Sequence, residues 1–148
     1  MSEFERRGAA DALAGSREMV ERQLRYGFKS ELEWRIGKFA LAGPYRKGVS
    51  AEEALAVAAD PSRKIDIKVH KRLWMGTDFD VRPQISGLTS KLLAISGELD
   101  WLVPPSNKDE LLSLKLDARY FVVPSVAHNA HYAARQIVLN EIEDFLSS

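Results

Sequence analysis

Residues 91–100 read KLLAISGELD, and residues 120–129 read YFVVPSVAHN. Each stretch is a short apolar run followed at once by a polar turn. Because short, nearly continuous apolar runs suit strands that are buried on both faces of a parallel sheet, both runs are predicted to be strands. The two turns carry a carboxylic acid, Asp100, and an imidazole, His128. These stretches decide both the fold class and the position of the candidate site.

A helix is predicted between the two strands. Ser106 can cap this helix through Asp109 or Glu110. Its apolar side would consist of Leu111, Leu112, Leu114 and Leu116. A strand, a helix and a second strand joined by a right-handed crossover form a parallel pair whose carboxyl ends meet at one edge. The predicted fold class is therefore α/β, with Asp100 and His128 at the edge where α/β sheets hold their sites.

The chain from about Leu88 to the C-terminus resembles the final third of an α/β-hydrolase, in particular the capped hydrolases related to proline iminopeptidases. In that family, a strand followed by G-x-x-D with a nearby proline carries the catalytic acid. A strand followed by a Gly-His or Ala-His turn carries the catalytic base. Gly97–Asp100 with Pro104 matches the first pattern, and Ala127-His128 matches the second. Ile137–Leu146 resembles the closing amphipathic helix of the family.

The resemblance implies a partial α/β-hydrolase fold in which Asp100 is the catalytic acid and His128 the catalytic base. The chain order in the family is nucleophile, acid, base. No Gly-x-Ser-x-Gly occurs in the sequence, so the chain supplies no nucleophile. The strand after Ser90 pairs, in the family, with the strand that leads into the nucleophile, and its edge therefore needs a partner. The partner could be a second polypeptide carrying the N-terminal hydrolase half or another copy of this chain, unless the chain is a truncated product.

The candidate site residues also have ordinary structural interpretations. Asp100 could be a common turn acid, and His128 could be a hydrogen-bonded loop histidine. The occurrence of both motifs at the right interval favours the catalytic interpretation. His131 competes as the base, but it falls at the start of the last helix. Trp101 and Tyr132 are candidates for the wall of a substrate pocket, although aromatic side chains beside such loops more often serve packing.

The first half of the chain is interpreted as a helical, cap-like region, residues 1–82, followed by a C-terminal βαβα segment, residues 83–148. A four-residue spacing of apolar side chains predicts a helix from Ser16 to about Ala42, which Gly27 and Gly37 could bend or divide. The apolar stripe consists of Val20, Leu24, Phe28, Leu32, Ile36 and Ala40. Gly43-Pro44 is predicted to stop this helix.

Two further helices are predicted in this half. Ser50-Ala51-Glu52-Glu53 reads as a capping box that opens the first of them. Asp60-Pro61 reads as the N-cap and first position of the second, which would end at Gly76. Its apolar stripe would consist of Ile65, Val69 and Leu73, with His70 as a solvated residue. Residues 77–90 are predicted to form a linker.

Composition excludes several classes of function. The 21 basic and 21 acidic residues give a formal net charge of zero, which argues against nucleic-acid binding. The chain has no cysteine, and its three histidines are scattered, so we expect no disulfide, metal or other cofactor. The N-terminus lacks the apolar core of a signal peptide, and no run is long enough to span a bilayer, so a cytoplasmic location without membrane association is expected.

Three hypotheses for function follow. In the first, the chain is the cap and acid/base half of a split serine hydrolase that acts on a small ester, amide or peptide, and a partner chain provides the serine and the oxyanion hole. In the second, it is a catalytically silent hydrolase remnant that serves as an interaction or dimerisation module. In the third, a local serine, Ser96 or Ser125, has been recruited as nucleophile, although neither is predicted to lie on a strand-to-helix elbow.

Overall fold

The computed structural model describes residues 26–74 and 80–148, and the chain forms two compact units. Over residues 26–74 the N-terminal unit is helical, and its helices are α1 (Glu31–Ala40), α2 (Ala42–Tyr45), α3 (Ala51–Ala59) and α4 (Ile67–Trp74). The C-terminal unit combines helices with a small sheet. Its elements are α5 (Arg82–Ile85), β1 (Leu93–Gly97), a 3-10 helix (Pro105–Asn107), α6 (Lys108–Leu114), β2 (Arg119–Val123), α7 (Ala130–Ala133) and α8 (Arg135–Ser147).

Of the two glycines that could divide the helix predicted from Ser16 to about Ala42, Gly27 does so and Gly37 does not; residues 16–25 lie outside the described residues. Gly27 has a φ of 61°, a left-handed conformation that interrupts a helix. The helix α1 then begins after Ser30, whose hydroxyl accepts a hydrogen bond from the Glu33 amide at 3.1 Å. Ser30-Glu31-Leu32-Glu33 is itself a capping-box pattern, so the sequence carried a signal for this helix start that the apolar periodicity concealed.

The predicted apolar stripe is wrong at Leu32 and Ile36, while Val20 and Leu24 lie outside the described residues. Leu32 is 69% exposed and Ile36 is 48% exposed, so these side chains do not form the buried face. The buried face instead contains Gly37, against which the ring of Phe28 packs so closely that a Cβ on Gly37 would collide with it. Phe28 lies outside the helix and is fully buried. The buried face of α1 is therefore centred on a glycine, and the spacing of apolar side chains in the sequence does not identify it.

His70 is not the solvated residue that was expected. Its ring stacks on Phe28 with 5.4 Å between ring centroids and 5° between ring planes. Burial, followed by the positive charge of Lys38, lowers the pKa of His70 below its ordinary value. The histidine therefore belongs to the packing of the N-terminal unit.

The α3 capping box is confirmed. The Ser50 hydroxyl accepts from the Glu53 amide at 3.1 Å, and the Glu53 carboxylate accepts from the Ser50 amide at 3.1 Å. Helix α3 packs against α1. Arg35 of α1 joins the two helices by donating to the carbonyl oxygens of Ala58 at 2.7 Å and Asp60 at 3.0 Å.

Asp60 is not a helix N-cap, which corrects the prediction. Its carboxylate accepts from the amide and the hydroxyl of Ser62, at 2.9 Å and 2.7 Å, and so closes a local turn. Helix α4 begins several residues later, where the carboxylate of Asp66 accepts from the amides of Lys68 and Val69. Of the predicted α4 stripe, Val69 and Leu73 are more than half exposed, and the predicted end at Gly76 lies outside the described residues.

The C-terminal unit contains the predicted strand, helix and strand. Strands β1 and β2 pair in parallel, from Leu93 opposite Arg119 to Gly97 opposite Val123. The described residues thus combine helices with a two-stranded parallel sheet, which is compatible with a partial α/β fold. Burial on both faces was expected, but most strand residues, including Ile95 and Phe121, are half-buried.

The start of the connecting helix was wrongly predicted. Helix α6 follows directly from the 3-10 helix at Pro105–Asn107, and Ser106 lies inside that turn instead of capping α6. Asn107 is the N-cap and makes no side-chain capping bond. Leu111, Leu112 and Leu114 are half-buried as expected, but Leu116 lies beyond the helix and is almost fully exposed.

The core of the C-terminal unit lies between the sheet and the last two helices. Val123, Ala130 and Val138 are buried at its centre, and Ile95, Phe121, Val126, Ala134 and Ile142 pack around them. Arg119 links β2 to α8 through ion pairs to Glu141 at 2.6 Å and Asp144 at 2.7 Å. Part of the predicted linker, Arg82–Ile85, forms the short helix α5. In neither described range is there a helix of the length and apolar character that a membrane crossing requires.

Candidate functional site

Asp100 and His128 lie at the carboxyl ends of β1 and β2 and contact each other. The Nδ1 atom of His128 is 3.0 Å from Oδ2 of Asp100 and 3.2 Å from Oδ1. Asp100 is 3% exposed, whereas 28% of the His128 side chain is exposed. The pair therefore joins a buried carboxylate to a half-buried imidazole, which is the arrangement that orients a histidine for proton transfer.

The loop after β1 holds the Asp100 carboxylate from its other side. Oδ1 accepts hydrogen bonds from the amides of Leu102 and Val103, each at 2.9 Å. The Asp100 amide in turn donates to the Gly97 carbonyl at 3.0 Å. These bonds hold the backbone of Asp100 and one of its carboxylate oxygens in addition to the contact with the histidine.

The acid loop and the histidine loop are joined by backbone contacts. The amide of Glu98 donates to the carbonyl of Val123, and the amide of Leu99 donates to the carbonyl of Val126, both at 2.9 Å. The carboxylate of Glu98 accepts from the amide of Ser125 at 2.7 Å. These contacts therefore set the spacing between the two loops in addition to the contact between the Asp100 and His128 side chains.

Gly97 permits the close approach of the two loops. A Cβ at this position would collide with the carbonyl oxygens of Val126 and Ala127. The buried residue Ala127 directly precedes His128. The glycine of the G-x-x-D pattern thus has a steric reason: a larger residue would push the histidine loop away from the acid loop.

The surroundings of Asp100 favour its ionised form. Burial acts to raise the pKa of this carboxyl. The hydrogen bond from His128 and those from the amides of Val103 and Leu102 outweigh burial, so the pKa of Asp100 lies below its ordinary value. Because an ionised carboxylate can only accept hydrogen bonds, Nδ1 of His128 is the nitrogen that carries a proton toward Asp100.

The remaining candidate residues are not brought into this pair. Trp101 is buried, at 8% exposure, in the loop that follows Asp100. Tyr132 is 80% exposed, and its ring contacts that of His131 with 4.5 Å between centroids. His131 lies in the short helix α7, which precedes the last helix α8, and not at the start of the last helix as predicted. The pocket role of Trp101 and Tyr132 stays a prediction.

Neither local serine resembles an activated nucleophile. Ser96 is buried within β1, and its hydroxyl accepts a hydrogen bond from the Tyr120 hydroxyl at 3.1 Å. Ser125 is exposed in the turn after β2, not on a strand-to-helix elbow. Sequence reasoning missed the roles of Glu98 and Tyr120. No local motif marks either contact, because both depend on how the strands pair.

A metal site is not formed by the described parts of the chain, residues 26–74 and 80–148. Within them, no three histidine, aspartate or glutamate side chains are grouped closely enough to hold an ion.

Comparison with known proteins gives one distant relationship. The chain is 26% identical, over 131 residues, to the proline iminopeptidase PfmaB of Pestalotiopsis fici. The match covers 87% of this chain and 46% of PfmaB, so the chain spans about half the length of that relative. No family model matches the sequence, and no solved structure matches it. The similarity supports a distant relationship to the proline iminopeptidases, which are α/β-hydrolases.

Proposed function

We propose that this chain supplies the catalytic acid and base of a serine hydrolase that acts on small esters, amides or short peptides. The observation that carries the proposal is the contact between the buried Asp100 carboxylate and Nδ1 of His128. The distant relationship to a proline iminopeptidase supports a hydrolase-like origin. The peptidase subclass rests on that relative alone.

In the proposed reaction, His128 acts through Nε2, because Nδ1 donates to Asp100. Nε2 takes the proton from the attacking serine hydroxyl as the serine oxygen bonds to the substrate carbonyl carbon. It then returns the proton to the leaving alcohol or amine. Asp100 holds the tautomer and stabilises the imidazolium that forms between these steps.

The nucleophile comes, in this proposal, from residues outside this sequence. The 148 residues contain no Gly-x-Ser-x-Gly, and the match covers 46% of the relative. We propose that a second polypeptide carrying the N-terminal hydrolase half brings the serine and the oxyanion hole, whose donors include the amide that follows the nucleophile. The cap-like role of residues 1–82 stays a prediction.

The proposal is tested by native mass spectrometry of the chain purified gently from its source, combined with labelling by a fluorophosphonate probe. A stoichiometric complex with a polypeptide that contains Gly-x-Ser-x-Gly, labelled on that serine, is expected. Labelling should be lost in the His128→Ala complex, because the serine is then no longer activated. Glu143→Ala, an exposed substitution on α8, is the matched control and should label normally.

Other results separate the competing hypotheses. A homodimer or monomer that carries no label would favour the silent interaction module. Label on Ser96 or Ser125 of this chain would favour a recruited local serine. Either result would contradict the split-hydrolase proposal.

A further inference from the structure

Glu98 follows β1 directly, and its side chain crosses to the histidine loop. Its carboxylate accepts from the Ser125 amide at 2.7 Å, while its own amide donates to the Val123 carbonyl at 2.9 Å. The residue therefore holds β2 and the turn beyond it at two points. Glu98 is exposed, and Asp100 is the next acid along the chain.

The turn that Glu98 contacts has an uncommon backbone conformation. Ser125 has a φ of 59°, and among the described residues it is the non-glycine residue with a positive φ. Residues with a Cβ rarely adopt this region, since the Cβ approaches the backbone. An interaction with the Ser125 amide that is made in this conformation favours it over extended alternatives.

The position of His128 depends on this turn. His128 lies three residues beyond Ser125, and the intervening carbonyls of Val126 and Ala127 lie against Gly97. If Ser125 leaves the left-handed region, the direction of the chain into His128 changes. The contact between His128 and Asp100 would then lengthen.

We infer that Glu98 is a positioning residue that keeps the His128 imidazole on Asp100 by holding the left-handed turn at Ser125. It touches neither the proton-transfer atoms nor the substrate. The inference rests on the proposed function only for the reason why the ring should be held in place. The effect of Glu98 on the position of the His128 ring does not depend on catalysis. It can therefore be tested without turnover.

The test is ¹⁵N NMR of the His128 ring in the full chain at neutral pH. Ring nitrogen shifts distinguish the tautomer that is protonated on Nδ1, which Asp100 favours, from the one protonated on Nε2. In Glu98→Ala, the ratio of the Nε2-protonated to the Nδ1-protonated form is expected to rise by roughly two- to tenfold, the range that corresponds to one net hydrogen bond. Glu98→Gln should stay close to the parent protein, because its amide oxygen can still accept from Ser125.

A second substitution separates positioning from a general loss of structure. Glycine adopts positive φ without a Cβ penalty, so Ser125→Gly in the Glu98→Ala background is expected to restore the parent ratio. Glu143→Ala is the matched control and should leave the ring shifts unchanged. Unchanged shifts in Glu98→Ala, equal changes in Glu143→Ala, or no restoration by Ser125→Gly would each overturn the inference.

The two proposals fail in different ways. If the ring responds as expected but no nucleophile-bearing partner is found, the positioning role stands and the hydrolase proposal fails. If His128→Ala abolishes labelling of the partner while Glu98→Ala leaves the ring unchanged, the hydrolase proposal stands and the role of Glu98 is wrong.

Discussion

The two units bury different kinds of side chain. Among the described residues, the buried polar and charged side chains lie in the C-terminal unit and are Ser96, Asp100, Lys115 and Glu141. Over residues 26–74 of the N-terminal unit the buried side chains are apolar, with Phe28, Leu41 and Ala54 among them. Burial of a polar group costs free energy unless hydrogen bonds replace its contacts with water. In the C-terminal unit, hydrogen bonds to the buried Asp100 carboxylate offset this cost at the position where the candidate acid and base lie.

The largest expected effect is on the catalysis that we propose for the C-terminal unit. Asp100→Asn should lower the kcat of the complete hydrolase by about four orders of magnitude, because the amide no longer holds the Nδ1-protonated tautomer of His128. His128→Ala should abolish turnover. The measurement is kcat on a small ester, with native mass spectrometry to show that assembly is intact. Near-normal turnover in His128→Ala would contradict the proposed role of His128 as the catalytic base.

The next effect concerns packing in the N-terminal unit. Phe28→Ala is expected to lower the free energy of unfolding by about 3–5 kcal/mol, since the ring fills the space above Gly37 and beside His70. Leu32→Ala removes an exposed side chain and should change it by less than about 0.5 kcal/mol. Urea unfolding measures both. Equal losses would show that Leu32 contributes as much to this core as Phe28 does, which would contradict the exposure of Leu32.

An intermediate effect is expected at Gly97. Gly97→Ala forces a Cβ against the carbonyls of Val126 and Ala127 and should destabilise the C-terminal unit by about 1–3 kcal/mol. Gly87→Ala is the control, because its Cβ would make an ordinary contact with the Gln84 carbonyl at 3.6 Å. Thermal unfolding of the two variants gives the difference. A Gly97→Ala protein as stable as Gly87→Ala would contradict the close approach of the loops.

A smaller effect is expected in acid. The pKa of Asp100 is lower in the folded chain than its ordinary value of 3.8. Its contribution to stability is therefore complete above about pH 3.8 and is lost as the pH falls through the lower, folded value. The free energy of unfolding, measured from pH 2 to pH 6, should fall less steeply below pH 4 in Asp100→Asn than in the parent. Parallel curves would show that Asp100 gains no stabilising partner on folding.

The smallest effect is expected at a helix cap. Ser50→Ala should lower the free energy of unfolding by about 1 kcal/mol, because it removes the hydroxyl that accepts from the Glu53 amide. Ser106→Ala is the control and should have no such effect, since Ser106 caps no helix. Denaturant unfolding of both proteins tests this. A larger loss in Ser106→Ala would reverse the assignment of the two serines.

The sequence predicted elements best where local chemistry alone specifies the backbone. The α3 capping box and the two strands were found because their signals lie within a few neighbouring residues. The juxtaposition of Asp100 and His128 followed from strand order and the crossover rule. The catalytic role of the pair stays a prediction.

The errors arose where contacts between distant residues decide the structure. Periodicity placed Phe28 on a helix. In the structure, the left-handed conformation of Gly27 interrupts the helix, and the Phe28 ring packs against Gly37. Asp60 had the sequence of a helix cap, yet its carboxylate closes a turn on Ser62. The contact from Glu98 to Ser125 spans 27 residues, so it was invisible until the loops were placed together.

The acid and the base both belong to one contiguous stretch, from β1 through β2 to the histidine turn, and are 28 residues apart. A gene rearrangement that carries residues 93–128 would therefore carry the pair together with the glycine and the backbone bonds that set its spacing. One continuous stretch of the sequence thus encodes both the pair and the contacts that set its spacing.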